Sequence, residues 1–139
     1  MYTIRTTENG FLLEISYYIY ETDEELLLGT MNIHVVSGDF SAKASMDVSA
    51  YKVAEFARDL YHLYEHLSGT ATIRGTFSNE SNMEFSILSR GHIHVKGILT
   101  DDGQTLSFNN EFNQTYLKAF ATDLYNDYMR YLKSYKTSG

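Results

Sequence analysis

Three short motifs recur in the same order along the chain, and this self-similarity limits the fold more than any other feature. Thr3-Ile4-Arg5, Ile33-His34-Val35 and Phe56-Ala57-Arg58-Asp59-Leu60-Tyr61 are answered by Thr72-Ile73-Arg74, Ile93-His94-Val95 and Phe120-Ala121-Thr122-Asp123-Leu124-Tyr125. Three-residue matches arise easily by chance, so the weight rests on the six-residue pair and on the shared order. Two copies of one structural unit are expected, about 1–69 and 70–135, within a single domain spanning 1–139 and related by a pseudo-twofold axis.

Hydrophobic periodicity gives the same plan in each half. Phe11, Leu13, Ile15, Tyr17 and Ile19 alternate with Glu14 and Ser16, as in a half-buried strand. Leu27 to Val36 continues extended structure to the turn Ser37-Gly38-Asp39, and Phe40, Ala42, Ala44, Met46 and Val48 alternate beyond it. Ser49 is placed to cap a helix on which Val53, Phe56, Leu60, Leu63 and Leu67 share one face, and Ser68-Gly69 is read as its left-handed end. The second half repeats this plan: four strands, a turn at Asp101-Asp102-Gly103, a cap at Asn113, and a helix carrying Leu117, Phe120, Ala121 and Leu124. Gly75 and Gly97, inside strands, are read as bulges or bends. Hairpin-length links make neighbouring strands antiparallel. The predicted fold is α+β: a duplicated ββββα unit forming one curved antiparallel sheet, with two helices packed on one face and with His34, Ser41, Lys43, Arg74 and His94 on the other.

Length and composition narrow the class. A chain of 139 residues can bury roughly two-thirds of its unfolded surface without staples. With no cysteine there is neither disulfide nor thiolate site. That absence, with a start lacking an apolar run after basic residues, leads us to expect a bacterial-type cytoplasmic protein. No apolar stretch is long enough for a membrane helix, and no membrane partner is expected. The net charge of -7, with the 11 Lys and Arg scattered, disfavours nucleic acid and makes a basic partner easier to accommodate. Twelve tyrosines without any tryptophan suit wet-edged core faces or an interface, and a structural or oligomer-forming role through tyrosine-rich edges is a third reading. The oligomeric state is left open.

The halves differ where function is expected to sit, in the connections. The stretch from Ile4 to Ile33 is nine residues longer than that from Ile73 to Ile93, and the acidic run Glu21, Asp23, Glu24, Glu25 lies in the excess. From Ile93 to Phe120 there are four residues more than from Ile33 to Phe56, and Asp101 and Asp102 lie within that stretch. These six acids are the candidate partner-binding residues, suited to orienting a basic protein surface. A metal-dependent hydrolase is the alternative: Glu55, Asp59, His62 and His66 follow one another at helical spacing and so share a flank of the first helix. No cofactor is expected otherwise. His34 and His94 lack a nucleophile partner, and the chain has no Gly-x-Ser-x-Gly elbow, no His-Glu-x-x-His and no glycine-rich phosphate loop.

The stretch Gly91-His92-Ile93-His94-Val95-Lys96-Gly97-Ile98-Leu99, then Leu106-Ser107-Phe108, then Asn113-Gln114-Thr115-Tyr116-Leu117-Lys118-Ala119-Phe120, resembles a pattern in small bacterial proteins similar to immunity proteins of the wall-associated-toxin (WapI-like) type. It departs from that pattern at Asn113, where an Asp is usual. The likeness lies mainly in the second half and marks a strand pair ending in a helix cap, with no active site. It implies a non-enzymatic binder of a partner protein, with a toxin as the candidate partner.

Overall fold

The computed structural model describes all residues but 8, 24, 77–80, 90 and 139, with side chains given up to residue 132. Strands β1 (Tyr2–Arg5), β2 (Leu12–Ile19), β3 (Leu28–Ser37) and β4 (Phe40–Ser49) lead into helix α1 (Ala50–His66). Strands β5 (Thr70–Arg74), β6 (Asn82–Ser89), β7 (His92–Asp101) and β8 (Gln104–Asn113) lead through a 3-10 turn (Gln114–Tyr116) into helix α2 (Lys118–Ser138). The α+β class and the duplicated ββββα unit are those expected from the sequence. The strands, however, form two antiparallel sheets, ordered β1-β2-β3-β4 and β5-β6-β7-β8, in place of one. Width accounts for the division. Eight strands side by side would span roughly 35 Å, whereas two helices of roughly 10 Å diameter cover about 20 Å, so part of a single apolar face would stay wet.

The inner faces of both sheets instead enter one core, to which both helices contribute. Each helix also crosses to the other half: α1 packs on β5 and α2 on β1. Phe11 of the first half stacks on Phe112 of the second at 6.0 Å. The repeated six-residue motif is the seam of this arrangement. Phe56 and Phe120 approach the same ring, Phe85, at 5.9 and 6.1 Å, and Ala57, Ala121, Leu60 and Leu124 are buried. Tyr61 and Tyr125 stack on each other, 4.7 Å between centroids and 9° from parallel. Residues related by the repeat thus meet each other at the helix pair.

Junctions before and after each second hairpin are also duplicated. Ser49 Oγ accepts from the Lys52 amide at 3.2 Å, and Asn113 Oδ1 accepts from the Thr115 amide at 2.9 Å. Just before β3 and β7, Leu27 and Gly91 adopt positive φ of 42° and 82°. Their carbonyls accept from the Ala50 and Gln114 amides at 2.9 and 2.8 Å, satisfying donors that a helix start leaves without an internal partner. At the other end of α1, Leu67, and not only the glycine at 69, is left-handed (φ 52°), and its amide closes on the Leu63 carbonyl.

Strand register corrects part of the alignment drawn from sequence. Leu28 faces Ser49 as His92 faces Asn113, so the second hairpins and helices match with a constant shift of 64 positions, the shift that also relates Phe56 to Phe120. Ile33 therefore corresponds to Gly97, and the two Ile-His-Val triplets are not equivalent. Both hairpins have ten-residue arms, joined by Gly38-Asp39 or Asp102-Gly103. The Asp101-Asp102-Gly103 turn is thus no insertion. Gly97 is not at a bulge either: the irregular register lies between Ile87 and Ser89. A Cβ on Gly97 would lie 2.7 Å from both Phe108 Cζ and the Asn82 carbonyl, so its hydrogen makes room for the Phe108 ring. Gly75 follows the end of β5.

Candidate partner-binding surface

The acidic run lies in a true insertion. Residues 20–27 join β2 to β3, whereas residues 90–91 make the same connection between β6 and β7. The inserted loop is held by its own hydrogen bonds. The amides of Leu26 and Leu27 donate to the Asp23 carbonyl at 3.1 and 2.7 Å, and those of Tyr20 and Glu21 donate to the Leu28 carbonyl at 3.0 and 3.1 Å. Carboxylates close the short turns, Glu21 Oε1 accepting from the Asp23 amide and Asp23 Oδ1 from the Glu25 amide, both at 3.0 Å. Glu21, Asp23 and Glu25 are exposed; Glu24 lies outside the described residues.

Beside these acids stand apolar side chains that sequence reasoning missed. Tyr18, Tyr20 and Leu26 are 70%, 48% and 45% exposed, whereas the other tyrosines among the described residues are half-buried. Tyr18 pairs across to Thr30, which pairs to Asp47, so the outward row Tyr18, Thr30, Asp47 crosses three strands. Asp47 accepts from the Thr30 hydroxyl at 3.4 Å, and desolvation followed by the nearby Asp47 charge raises the pKa of the Tyr20 phenol. A signal was present in the alternation: with Phe11, Leu13 and Ile15 turned inward, Tyr18 falls on the polar side with Glu14 and Ser16, where a tyrosine has no packing reason to be.

Further along the same outward face lies an open depression of about 390 Å³. Glu14, Ser16, Asn32, His34, Lys43 and Ser45 contribute to its lining, with Asp101 reaching it from the second half. His34 Nδ1 and Glu14 Oε1 are 2.9 Å apart, and Lys96 and Glu84 make a looser pair, 3.7 Å, on the second sheet. Asp101 and Asp102 are exposed, but the depression that Asp101 lines includes none of residues 21–25. Asp101 and Asp102 thus lie at the β7-β8 turn of the second half, and Glu21, Asp23 and Glu25 in the β2-β3 connection of the first.

The helix-flank alternative does not assemble. Among the described residues no three of His, Asp or Glu are arranged to hold a metal ion. The His62 and His66 rings pack on each other at 4.5 Å, Asp59 Oδ1 accepts from Arg58 Nε at 3.1 Å, and Glu55 and Asp59 share a small cleft with Lys52 and Arg74. Positions four apart on a helix are neighbours, but here cations sit beside both carboxylates. Many tyrosines are structural. The Tyr2 hydroxyl donates to Asp127 at 2.5 Å and the Tyr17 hydroxyl to the Val48 carbonyl at 2.6 Å, while Tyr128 lies 6.2 and 5.6 Å from their rings. Burial pushes the Tyr2 and Tyr17 phenols well above their ordinary pKa, the Asp127 contact adding to the shift at Tyr2. This cluster ties α2 to the first sheet. Among the described residues no helix is long and apolar enough to cross a membrane.

Comparison with solved structures finds similar chains. The chain is similar to the plant transcriptional regulator PBF-2, with 11% identity over 99% of this chain and 84% of that one and a TM-score of 0.52. It is also similar to Trypanosoma bruciei MRP1/MRP2, with 18% identity over 88% and 79% and a TM-score of 0.46. A guide-RNA-binding protein complex bound to a gRNA gives 16% over 89% and 82%, with a TM-score of 0.48. At such identities the PBF-2 likeness shows a shared fold, and one fold hosts many functions. A comparison with curated proteins finds no match. The family is nonetheless shown: the chain belongs to the immunity protein WapI-like family, whose model matches residues 3–132. Membership in an immunity-protein family implies binding to a protein partner.

Proposed function

We propose that this chain is a bacterial cytoplasmic immunity protein that binds a basic protein partner, a toxin, and occludes it without catalysis, using the insertion at residues 20–27 as the principal contact. One observation carries the reading: an ordered loop, absent from the other half, presents exposed Tyr20 and Leu26 among Glu21, Asp23 and Glu25, next to exposed Tyr18. Aromatic anchors within a polar rim are a usual arrangement of a protein contact, acidic rim groups orient a basic partner, and preorganisation reduces the ordering cost of binding. Asp101 and Asp102 extend the acidic surface as a second, smaller group. The net charge of -7 supports a protein rather than a nucleic-acid partner.

The test is affinity for the partner recovered with the tagged protein from its host, measured at low and high salt. Neutralising Glu21, Asp23, Glu24 and Glu25 to their amides removes four charges, taken at roughly 0.5 kcal/mol each, the range for surface ion pairs. Affinity should fall about 30-fold at low salt, and most of the salt dependence should go with it. Unchanged affinity in the quadruple variant would remove the insertion from the interface.

A further inference from the structure

We propose that Tyr18 and Tyr20, backed by Asp47, form a platform that takes an arginine side chain of the protein partner, its guanidinium lying on the phenol rings. This rests on the partner-binding reading above and adds a requirement for arginine where that reading asks only for positive charge.

The placement comes first. Tyr18 and Tyr20 are two positions apart where β2 ends, and side chains so spaced leave an extended chain on the same side. Both rings are exposed, at 70% and 48%, and neither helix covers the outward face that carries Tyr18. The Tyr20 amide is fixed on the Leu28 carbonyl at 3.0 Å, and Asp47 on β4 accepts from the hydroxyl of Thr30 on the strand between. A tyrosine on a hydrogen-bonded backbone presents its ring with only two side-chain torsions left to order.

Charge then selects the occupant. The platform adjoins Glu21, Asp23 and Glu25, and among the described residues no lysine or arginine forms an ion pair with these acids or with Asp47. Negative ring faces surrounded by carboxylates attract a cation. Arginine fits better than lysine because its planar guanidinium stacks on a ring while its edge still donates to a carboxylate. A lysine ammonium offers a point charge and gives up more hydration to lie against a ring.

The probes are tri-arginine and tri-lysine peptides added to the ¹⁵N-labelled full chain at low salt, with amide shifts followed residue by residue. Tri-arginine should move the amides of Tyr18, Tyr20, Thr30 and Asp47 and bind several-fold more tightly than tri-lysine. Tyr18→Ala and Tyr20→Ala should each weaken tri-arginine about two- to fivefold, the range for one exposed cation–aromatic contact, and should reduce the preference over tri-lysine. Tyr20→Phe, which keeps the ring, should lose less than Tyr20→Ala. Equal affinity for the two peptides, shifts confined to another surface, or unaltered preference in both alanine variants would overturn the platform. The two ideas fail separately. If the acid-neutralised variant keeps full affinity for the partner while the tyrosines still select arginine, the rings take arginine but the partner does not use them, and the partner-binding reading is what falls. If neutralisation weakens the partner but the tyrosine variants show no arginine preference, only the platform falls.

Discussion

Gly97→Ala should destabilise the protein, although alanine is ordinarily the better residue inside a strand by roughly 0.5–1 kcal/mol. A Cβ built at this position lies 2.7 Å from the Asn82 carbonyl and 2.7 and 2.8 Å from two atoms of the Phe108 ring. Neither neighbour can withdraw cheaply. Asn82 is paired to Ile98 in the β6-β7 ladder, and Phe108 is 6% exposed and within reach of Phe11 at 6.4 Å. Overpacking of this kind costs about 1–3 kcal/mol, so after the strand preference is subtracted a net loss of roughly 0.5–2 kcal/mol remains. For a domain of this size that lowers Tm by about 2–7 °C, and urea unfolding should show a lower midpoint with an unchanged slope. Phe108→Leu in the same chain separates this cause from the bulge suggested by sequence. Removing the ring should relieve part of the Gly97→Ala penalty, with a coupling of about 0.5–1.5 kcal/mol in the double-mutant cycle. A Gly97→Ala protein as stable as the parent, or a cycle with no coupling, would refute the argument that glycine is there to admit the ring.

Two further outcomes follow from the aromatic contacts. Tyr61→Ala and Tyr125→Ala should show a coupling of about 0.5–1.5 kcal/mol in chemical denaturation, because the repeat-related rings stack at 4.7 Å; additivity would mean that the rings only cover the helix seam. Tyr2 and Tyr17 have folded-state pKa values raised above the unfolded value near 10, so the folded protein holds their protons more tightly. Their contribution is complete below about pH 10 and is lost as pH rises above it; thermal unfolding across pH 8–11 should show that decline, and Tyr17→Phe should make it shallower.

The readable parts of the fold were those fixed by local physics. Alternation placed the strands, apolar spacing placed both helices, and the capping roles of Ser49 and Asn113 came from hydroxyl and amide chemistry acting within three residues. Relations over longer range were less legible. The division into two sheets depends on how much area two helices can cover, which no window of sequence contains. The Ile-His-Val triplets match as text but occupy different positions in β3 and β7, because inward positions in any strand favour the same few apolar residues. Gly97 reads as a backbone device until the ring lying across from it is known, and Leu67 takes a left-handed angle that sequence assigns to glycine. At the candidate surface the acids were visible as an excess of length, whereas Tyr18 and Tyr20 were hidden in a composition rich in tyrosine. Their outward direction is what separates them from Tyr2, Tyr17 and Tyr128.

The duplication also shows how the insertion can be removed without harming the scaffold. Leu27 and Gly91 hold the same place: each has positive φ, each precedes the third strand of its half, and each carbonyl takes the first free amide of the helical segment that follows. Ile19 faces Gly29 as Ile87 faces Ile93, so residues 88–91 of the second half stand where residues 20–27 stand in the first. Replacing residues 20–27 by Leu-Ser-Arg-Gly therefore retains a left-handed residue in front of β3, now glycine, and a carbonyl for Ala50. Halving the connection reduces loop-closure entropy by about 0.6 kcal/mol, and glycine relieves the strain of φ 42° at Leu27. The bonds to Asp23 and Glu21 are lost together with the groups that make them, while the Leu28 carbonyl, which accepts from Tyr20 and Glu21 in the parent, faces the serine taken from position 89, the residue that pairs with His92 in the second half. The trimmed protein should thus be at least as stable as its parent in urea, within about 1 kcal/mol, while losing nearly all affinity for the partner. If it unfolds readily, the loop is part of the scaffold and its acids need no binding role. If it folds and still binds at full strength, the contact lies on the symmetric body of the molecule that both halves share.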